Sequence, residues 1–425
     1  MFNGISISLL LAGLSSANTA ALRSHMVYPP GHLHQLDASS RAVFSEQFTF
    51  ASDLIRSSIA GYSPASPWVQ PPECLATNNG TDSYCVYSSR GFAGGRGVSI
   101  LTNPDTIEDI QQLQAFTDGT TNLNINKRSQ LPPFEERELP GRGIGLIANK
   151  TIHRGDLIFA HSAVLLLDDE AWESLEDEEW VKMAKKAVNN LPTPTRKLFM
   201  DLHGHEGVDP VSDRINTNAF EVEIGEETFY AIFPEIARLN HDCRPNAAYF
   251  FDEETLTHYV HATTTISPGT EITITYIDPH MRRRQRLSRL HSSWGFHCTC
   301  SLCSMHRSLT AASDLRLRQI VALAEKFEER PETASLEMAE ALISLYKQER
   351  LHAPLCGAYK FAALASCALG QRWKVLKYAQ LALEIGLLDD GFSNDYASEM
   401  RKLALHPQDH RCWMVQRRTV QTVDI

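Results

Sequence analysis

The chain has 425 residues, with 40 Lys and Arg against 51 Asp and Glu, a formal net charge of −11, and 43% hydrophobic residues. This is a globular composition on a chain long enough to bury its own core, which excludes collagen-like, wholly disordered and disulfide-framework classes. The acidic balance disfavours a strongly cationic nucleic-acid binder, so no direct nucleic-acid contact is expected, while a basic polypeptide partner is tolerated.

No apolar run approaches the ~18–20 residues of a membrane span. Residues 1–20 are similar to a secretory signal peptide: the run Ile5–Leu14 leads into small residues through Ala17, Asn18, Thr19, Ala20 and Ala21. The usual positively charged start is missing, and a short buried N-terminal helix is the alternative. Residues 21–132 form a Pro/Gly/Ser-rich region with helices expected over Ser40–Ile59 and Pro104–Phe116. Cys74 and Cys85 are close enough for a local disulfide. Asn79-Gly80-Thr81 and Asn149-Lys150-Thr151 are glycosylation sequons. These features point to secretory entry; with an uncleaved leader, a nuclear or cytoplasmic location stays open. Gly91–Thr102 echoes Gly141–Thr151, each a Gly-rich turn and a short strand, and reads as a small β-unit beside the next domain, chance similarity being the alternative.

Over 133–277 short strands recur at Ile144–Ala148, Leu157–Phe159, Ala163–Leu167, Ala219–Ile224, Thr228–Ile232, Ala247–Phe251, His258–Ala262 and Glu271–Tyr276. Such a run predicts a β-rich domain rather than alternating βα units. A helical insert at about 168–204 opens with an acidic stretch, Asp168 to Glu179, read as a solvated face. The Arg282, Arg283, Arg284, Arg286 and Arg289 run is read as a solvated helix that pairs with that insert. Residues 305–425 are all-α: apolar spacing places helices around Leu315–Phe327, Leu336–Tyr346, Leu355–Leu369, Trp373–Ile385 and Tyr396–Leu405. Gly370 and Gly386 read as terminators, and Ala358–Ile385 as a tetratricopeptide-like pair. The whole chain is therefore α+β.

Cys298, Cys300 and Cys303 form C-x-C-x2-C, a spacing that points to a metal. A tetrahedral zinc needs a fourth ligand from elsewhere. Among the remaining cysteines Cys243 stands out, because it sits in Asn240-His241-Asp242-Cys243-Arg244-Pro245-Asn246.

Taken in order, Gly141-Arg142-Gly143-Ile144-Gly145-Leu146, Arg238 to Asn246, Gly269 to Tyr276, and Trp294-Gly295-Phe296-His297 with the three cysteines resemble a SET domain (133–277) and its post-SET segment (278–304). The resemblance is nearest to the SET-and-MYND family and related fungal SET proteins. The MYND zinc module itself has no counterpart: no Cys lies between Cys85 and Cys243, and the helical insert stands in its place. Asn218-Ala219-Phe220 resembles the short family motif before the pseudoknot.

The resemblance implies methyl transfer from S-adenosylmethionine to a protein lysine, with histone as the default substrate. It places Gly143, Ile144, Gly145, Asn240, His241, Tyr276 and Phe296 at the cofactor, and Tyr276 as the catalytic tyrosine. It also places Tyr276 and Trp294 along the lysine channel. Cys243, Cys298, Cys300 and Cys303 become the ligands of a structural zinc that ties the post-SET segment to the pseudoknot. Trp294 departs from the tyrosine many relatives carry there, which leaves the number of methyls open. A lysine with a pKa near 10.4 must lose its proton to react, and a narrow channel and a nearby sulfonium both favour that loss. A monomer is expected. The alternative is a SET-fold binding or scaffold protein, secreted and without catalysis. A third reading, a secreted glycoprotein with a Cys298–Cys303 disulfide, would hold no zinc.

Overall fold

The computed structural model describes residues 67–68, 71–77, 83–118, 125, 132–204, 209–329, 334–352, 354–389, 391 and 395–416. The leader-like residues 1–20, the helix expected at Ser40–Ile59 and the Asn79 sequon lie outside them. Two compact units emerge: one runs to Asn240 and includes Tyr249–Ile272, and the other holds His241–Ala248 and the chain from Thr273.

The first unit is built on a six-stranded sheet. Its strands are β1 (Glu73–Ala76), β2 (Ser83–Ser89), β3 (Val98–Thr102), β7 (Leu165–Asp168), β9 (Glu227–Ile232) and β8 (Phe220–Ile224), in the order β1-β2-β3-β7-β9-β8. Strands β3 and β7 run parallel, with Ser99 opposite Leu165 and Leu101 opposite Leu167. Both are buried along their whole length, as is usual for parallel strands covered on both faces. The Gly91–Thr102 segment therefore ends in a strand inside this sheet, not in a unit packed beside it. The disulfide between Cys74 and Cys85 is present and joins a directly facing pair on β1 and β2.

Between β7 and β8 lie the helices Asp169–Ser174, Asp177–Asn190, Thr193–Met200 and Pro210–Asn218. Trp180, Met183, Ala184, Ala187 and Val188 are buried at helical spacing. They share a core with Leu101, Leu165, Leu167 and Ile232 of the sheet. Glu170, Glu173, Glu176, Asp177 and Glu178 are exposed. Asp168 breaks that pattern: it is buried, accepts from Thr102 Oγ1 at 2.6 Å, and caps the following helix through Glu170 N–H at 2.9 Å. The helix expected over Pro104–Phe116 is two, Pro104–Ile110 and Gln114–Thr117, because Leu113 is extended.

Strands β4 (Phe134–Leu139) and β5 (Gly143–Ala148) form an antiparallel hairpin, and Glu271 and Ile272 of β12 (Glu271–Ile274) pair with β5 on its other side. A third sheet joins β10 (Ala247–Asp252), β11 (Thr257–Ala262) and β6 (Leu157–Ser162).

The second unit carries helices Arg283–Trp294, Arg307–Glu329, Leu336–Gln348, Leu355–Ala368, Arg372–Asp389 and Asp395–Leu405. The last five share one core that includes Leu317, Leu342, Tyr359, Ala379 and Met400. Gly370 ends its helix in the left-handed region at φ +66°. Gly386, expected as a terminator, lies instead inside Arg372–Asp389. The Arg run departs from a solvated face as well: Arg286 is buried and donates to the Met281 carbonyl at 2.6 Å.

Within the first unit, Arg96 makes two parallel hydrogen bonds to Glu235, at 2.8 and 2.7 Å, and Arg96 Nε reaches the Ser162 carbonyl at 3.1 Å. Burial alone would raise the Glu235 carboxyl, but the Arg96 charge outweighs it and holds the pKa down at about 2, from an ordinary 4.5. A depressed folded-state pKa stabilises the fold above the unfolded value and loses that contribution as pH falls. Stability measured by denaturant melts should therefore drop between about pH 4.5 and about pH 2. Glu235→Gln should flatten that step and cost about 3–5 kcal/mol at neutral pH, because Arg96 is left buried and unpaired.

Candidate functional site

The glycine turn before β5 is shaped by two different needs. Gly143 adopts φ +67°, a left-handed conformation that favours glycine, and a Cβ built there would meet nothing within 4 Å. Gly145 is required by close packing: its Cβ would lie 2.6 Å from Leu139 Cδ1, 2.8 Å from Glu271 Oε1 and 2.9 Å from Asn240 Nδ2. Gly145 thus makes room for the chain's own side chains, whereas the space beside Gly143 is open and the neighbouring Ile144 is 40% exposed.

Asn240 is held in place by this turn. Its Nδ2 donates to Glu271 Oε1 at 2.8 Å and to the Ile144 carbonyl at 3.4 Å. Glu271 Oε2 in turn pairs with Arg142 at 3.1 Å. Glu271 and Arg142 do not stand out in the sequence as more than strand and turn residues, yet they fix the orientation of the Asn240 amide.

His241 follows directly and is buried. Its Nδ1 accepts the Tyr276 backbone N–H at 3.0 Å, and its Nε2 lies 3.3 Å from Cys243 Sγ. With Nδ1 accepting, the proton of the neutral ring belongs on Nε2, facing sulfur. One imidazole thus spans the backbone of Tyr276 and a member of the cysteine cluster. Tyr276 also lies near Trp294, with ring centroids 5.4 Å apart, and the His241 and Phe296 rings are 6.1 Å apart.

Cys243, Cys298, Cys300 and Cys303 are buried and unbridged, with their sulfurs all within 4.8 Å of one another. The Cys298–Cys303 disulfide of the third reading is absent from this arrangement. Cys243 Sγ is 3.5 Å from Cys303 Sγ and 3.9 Å from Cys298 Sγ. Four sulfurs about 2.3 Å from a zinc ion stand about 3.8 Å apart in a tetrahedron, so the cluster fits the ion. Hydrogen bonds from Cys243 and Cys298 draw the Cys303 thiol down to about 7, and contact with Cys298, Cys300 and Cys303 pushes Cys243 up. Tyr276, Trp294 and Phe296 pack around this cluster with Ile277 and Leu290.

Arg244, the next residue, is committed to the helical tail. Its Nη2 pairs with Glu349 Oε2 at 2.9 Å, and its Nε donates to the Glu349 carbonyl. The two side chains are 2% and 1% exposed. Ser313 and Arg316 complete the carboxylate at 2.7 and 2.6 Å. Every residue of this network lies in the second unit.

Residues 143–277 match the SET domain family, which defines the class of fold that carries these motifs. The chain is 30% identical over 185 residues to the histone-lysine N-methyltransferase set5 of Schizosaccharomyces pombe, covering 43% of this chain and 54% of that protein. It is 34% identical over 147 residues to the N-lysine methyltransferase SMYD2-B of Danio rerio, covering 34% and 33%. It is 34% identical over 105 residues to the human N-lysine methyltransferase SMYD2, covering 24% of each chain. The matches thus span about half or less of each relative.

Two outcomes follow from the geometry. Purified wild type should contain one zinc per chain by elemental analysis, and Cys300→Ser should reduce zinc affinity by two orders of magnitude or more, roughly the loss of one thiolate ligand. Glu349→Ala should destabilise the second unit by about 3–5 kcal/mol in denaturant melts, because Arg244 then stays buried without its partner.

Proposed function

We propose that the chain transfers a methyl group from S-adenosylmethionine to the ε-amine of a lysine in a protein substrate, with a structural zinc on Cys243, Cys298, Cys300 and Cys303. The observation that carries this reading is the His241 ring, whose two nitrogens meet the Tyr276 N–H and Cys243 Sγ at 3.0 and 3.3 Å. That contact makes the placement of the tyrosine depend on the cysteine cluster. The names of the set5 and SMYD2 relatives support the reaction class, and set5 supports histone as the first substrate to test.

S-adenosylmethionine, when bound, supplies the methyl on a positively charged sulfonium. In this proposal Gly143, Ile144, Gly145, Asn240, His241, Tyr276 and Phe296 bind it. Asn240 contributes an amide already oriented by Glu271. The Tyr276 hydroxyl accepts from the incoming amine and aims its lone pair, while the aromatic wall of Tyr276 and Trp294 excludes water. An apolar wall disfavours the ammonium form, so the amine loses its proton before it reacts. Rate comes from this positioning and from fixed dipoles rather than from an acid–base pair.

The test begins with calorimetric titration of zinc-loaded protein with S-adenosylmethionine, expected to give micromolar binding. Tyr276→Phe should keep that binding within about threefold and lower methyl transfer to histone by a factor on the order of 10²–10³. Unchanged turnover in Tyr276→Phe would refute the role of the hydroxyl. No cofactor binding by zinc-loaded wild type would favour the second reading, a SET-fold binding protein, for which the indole of Trp294 against Tyr276 is the relevant observation.

A further inference from the structure

A separate cluster lies near the end of the second unit. Cys367, on the Leu355–Ala368 helix, is joined by a disulfide to Cys412, 45 residues later. Cys367 is fully buried, and Cys412 is partly exposed. His410 Nδ1 lies 2.8 Å from Cys412 Sγ and accepts the Cys412 backbone N–H at 3.3 Å. The other ring nitrogen, Nε2, faces Glu399 Oε1 at 3.6 Å. Accepting at Nδ1 and facing a carboxylate at Nε2 select the ring form whose lone pair points at sulfur. The second disulfide, Cys74–Cys85, differs: it pins two facing strand residues, and no His occurs between Trp68 and Arg90.

We propose that Cys367, Cys412 and His410 form a thiol–disulfide exchange site whose reactant is a low-molecular-weight thiol. The three parts have distinct tasks. Cys412 is the sulfur that can be reached, Cys367 is the buried partner, and His410 takes the proton of the Cys412 thiol in the reduced state. A cysteine beside a base in this way is activated as a nucleophile and as a leaving group.

The exchange balances in two steps. An external thiol ionises and its thiolate attacks Cys412 Sγ; the Cys367–Cys412 bond breaks, and its electron pair leaves on Cys367, which ends with the proton the external thiol released. A mixed disulfide remains on Cys412. A second external thiolate attacks the outer sulfur of that mixed disulfide, releasing the oxidised dimer of the small thiol and the Cys412 thiolate beside His410. Two small thiols are oxidised by two electrons in all, and the protein disulfide is reduced. The bond is one of several ties on the final turn: Met414 N–H also donates to the Cys367 carbonyl at 2.9 Å.

The experiment uses the full chain equilibrated in glutathione buffers of graded redox ratio, quenched with iodoacetamide and analysed by peptide mass spectrometry. The Cys367–Cys412 pair should open at a less reducing ratio than Cys74–Cys85. In the fully reduced chain, Cys412 should alkylate at neutral pH roughly tenfold faster than in His410→Ala, with the rate at Cys356 unchanged. The comparison of the two disulfides needs no variant and stands even where His410→Ala disturbs the final turn. Both pairs opening together, or Cys412 alkylating at the same rate in the variant, would overturn the proposal. So would a second equivalent of zinc on the reduced wild type that protects Cys367 and Cys412 from alkylation, which would assign the cluster to a metal.

Discussion

The arrangement around the SET motifs turns on one buried ring. His241 has two nitrogens and both are spent on the protein: one on the amide of Tyr276, the other on a sulfur of the four-cysteine cluster. An imidazole can serve both ends only in a single ring form, so position and protonation are set together. The same ring thereby links a cysteine sulfur to a tyrosine backbone. The tyrosine, the four cysteines and the aromatic pair Trp294 and Phe296 are thus one packed assembly.

A second constraint acts one residue further along. Arg244 stands beside Cys243 yet is bound to Glu349 at the end of the Leu336–Gln348 helix. The pair is almost fully enclosed, and Glu349 also receives Ser313 and Arg316. A buried pair of this kind adds little net stability over an apolar alternative, but removing either partner is severe. Its effect is on geometry: it ties the turn that carries Cys243 to the tail helices that share its unit.

What could be read from the sequence was local. The C-x-C-x2-C spacing and the Asn-His-Asp-Cys run are short-range patterns, and the structure draws all four sulfurs together. Apolar periodicity located most strands and tail helices, because each element buries one side of itself. What escaped depends on partners distant in sequence. Glu349 is 105 residues from Arg244, and nothing beside it marks it as a buried ion. Asp168 looked like one more acid in a solvated run; its place just before a helix was the available sign that it caps it. Gly386 was misread because a helix packed on both sides tolerates a glycine that an isolated helix would not. The Cys367–Cys412 bond had no local spacing to announce it.

The parallel pairing of β3 with β7 has a consequence for how the chain reaches its native state. Those strands are joined across about sixty residues of intervening chain, and parallel pairing offers no hairpin through which to nucleate. The β1–β2–β3 meander is made first on the ribosome, but one edge of β3 stays bare until β7 has emerged and folded back. A bare strand edge, here on a strand carrying Val98, Ile100 and Leu101, is a template for association with other chains. Loop closure of that length makes the step slow relative to the helices downstream. The meander from Glu73 to Thr102 therefore depends on sequence that follows it, and its solubility during synthesis rests on how quickly Leu165, Leu166 and Leu167 arrive.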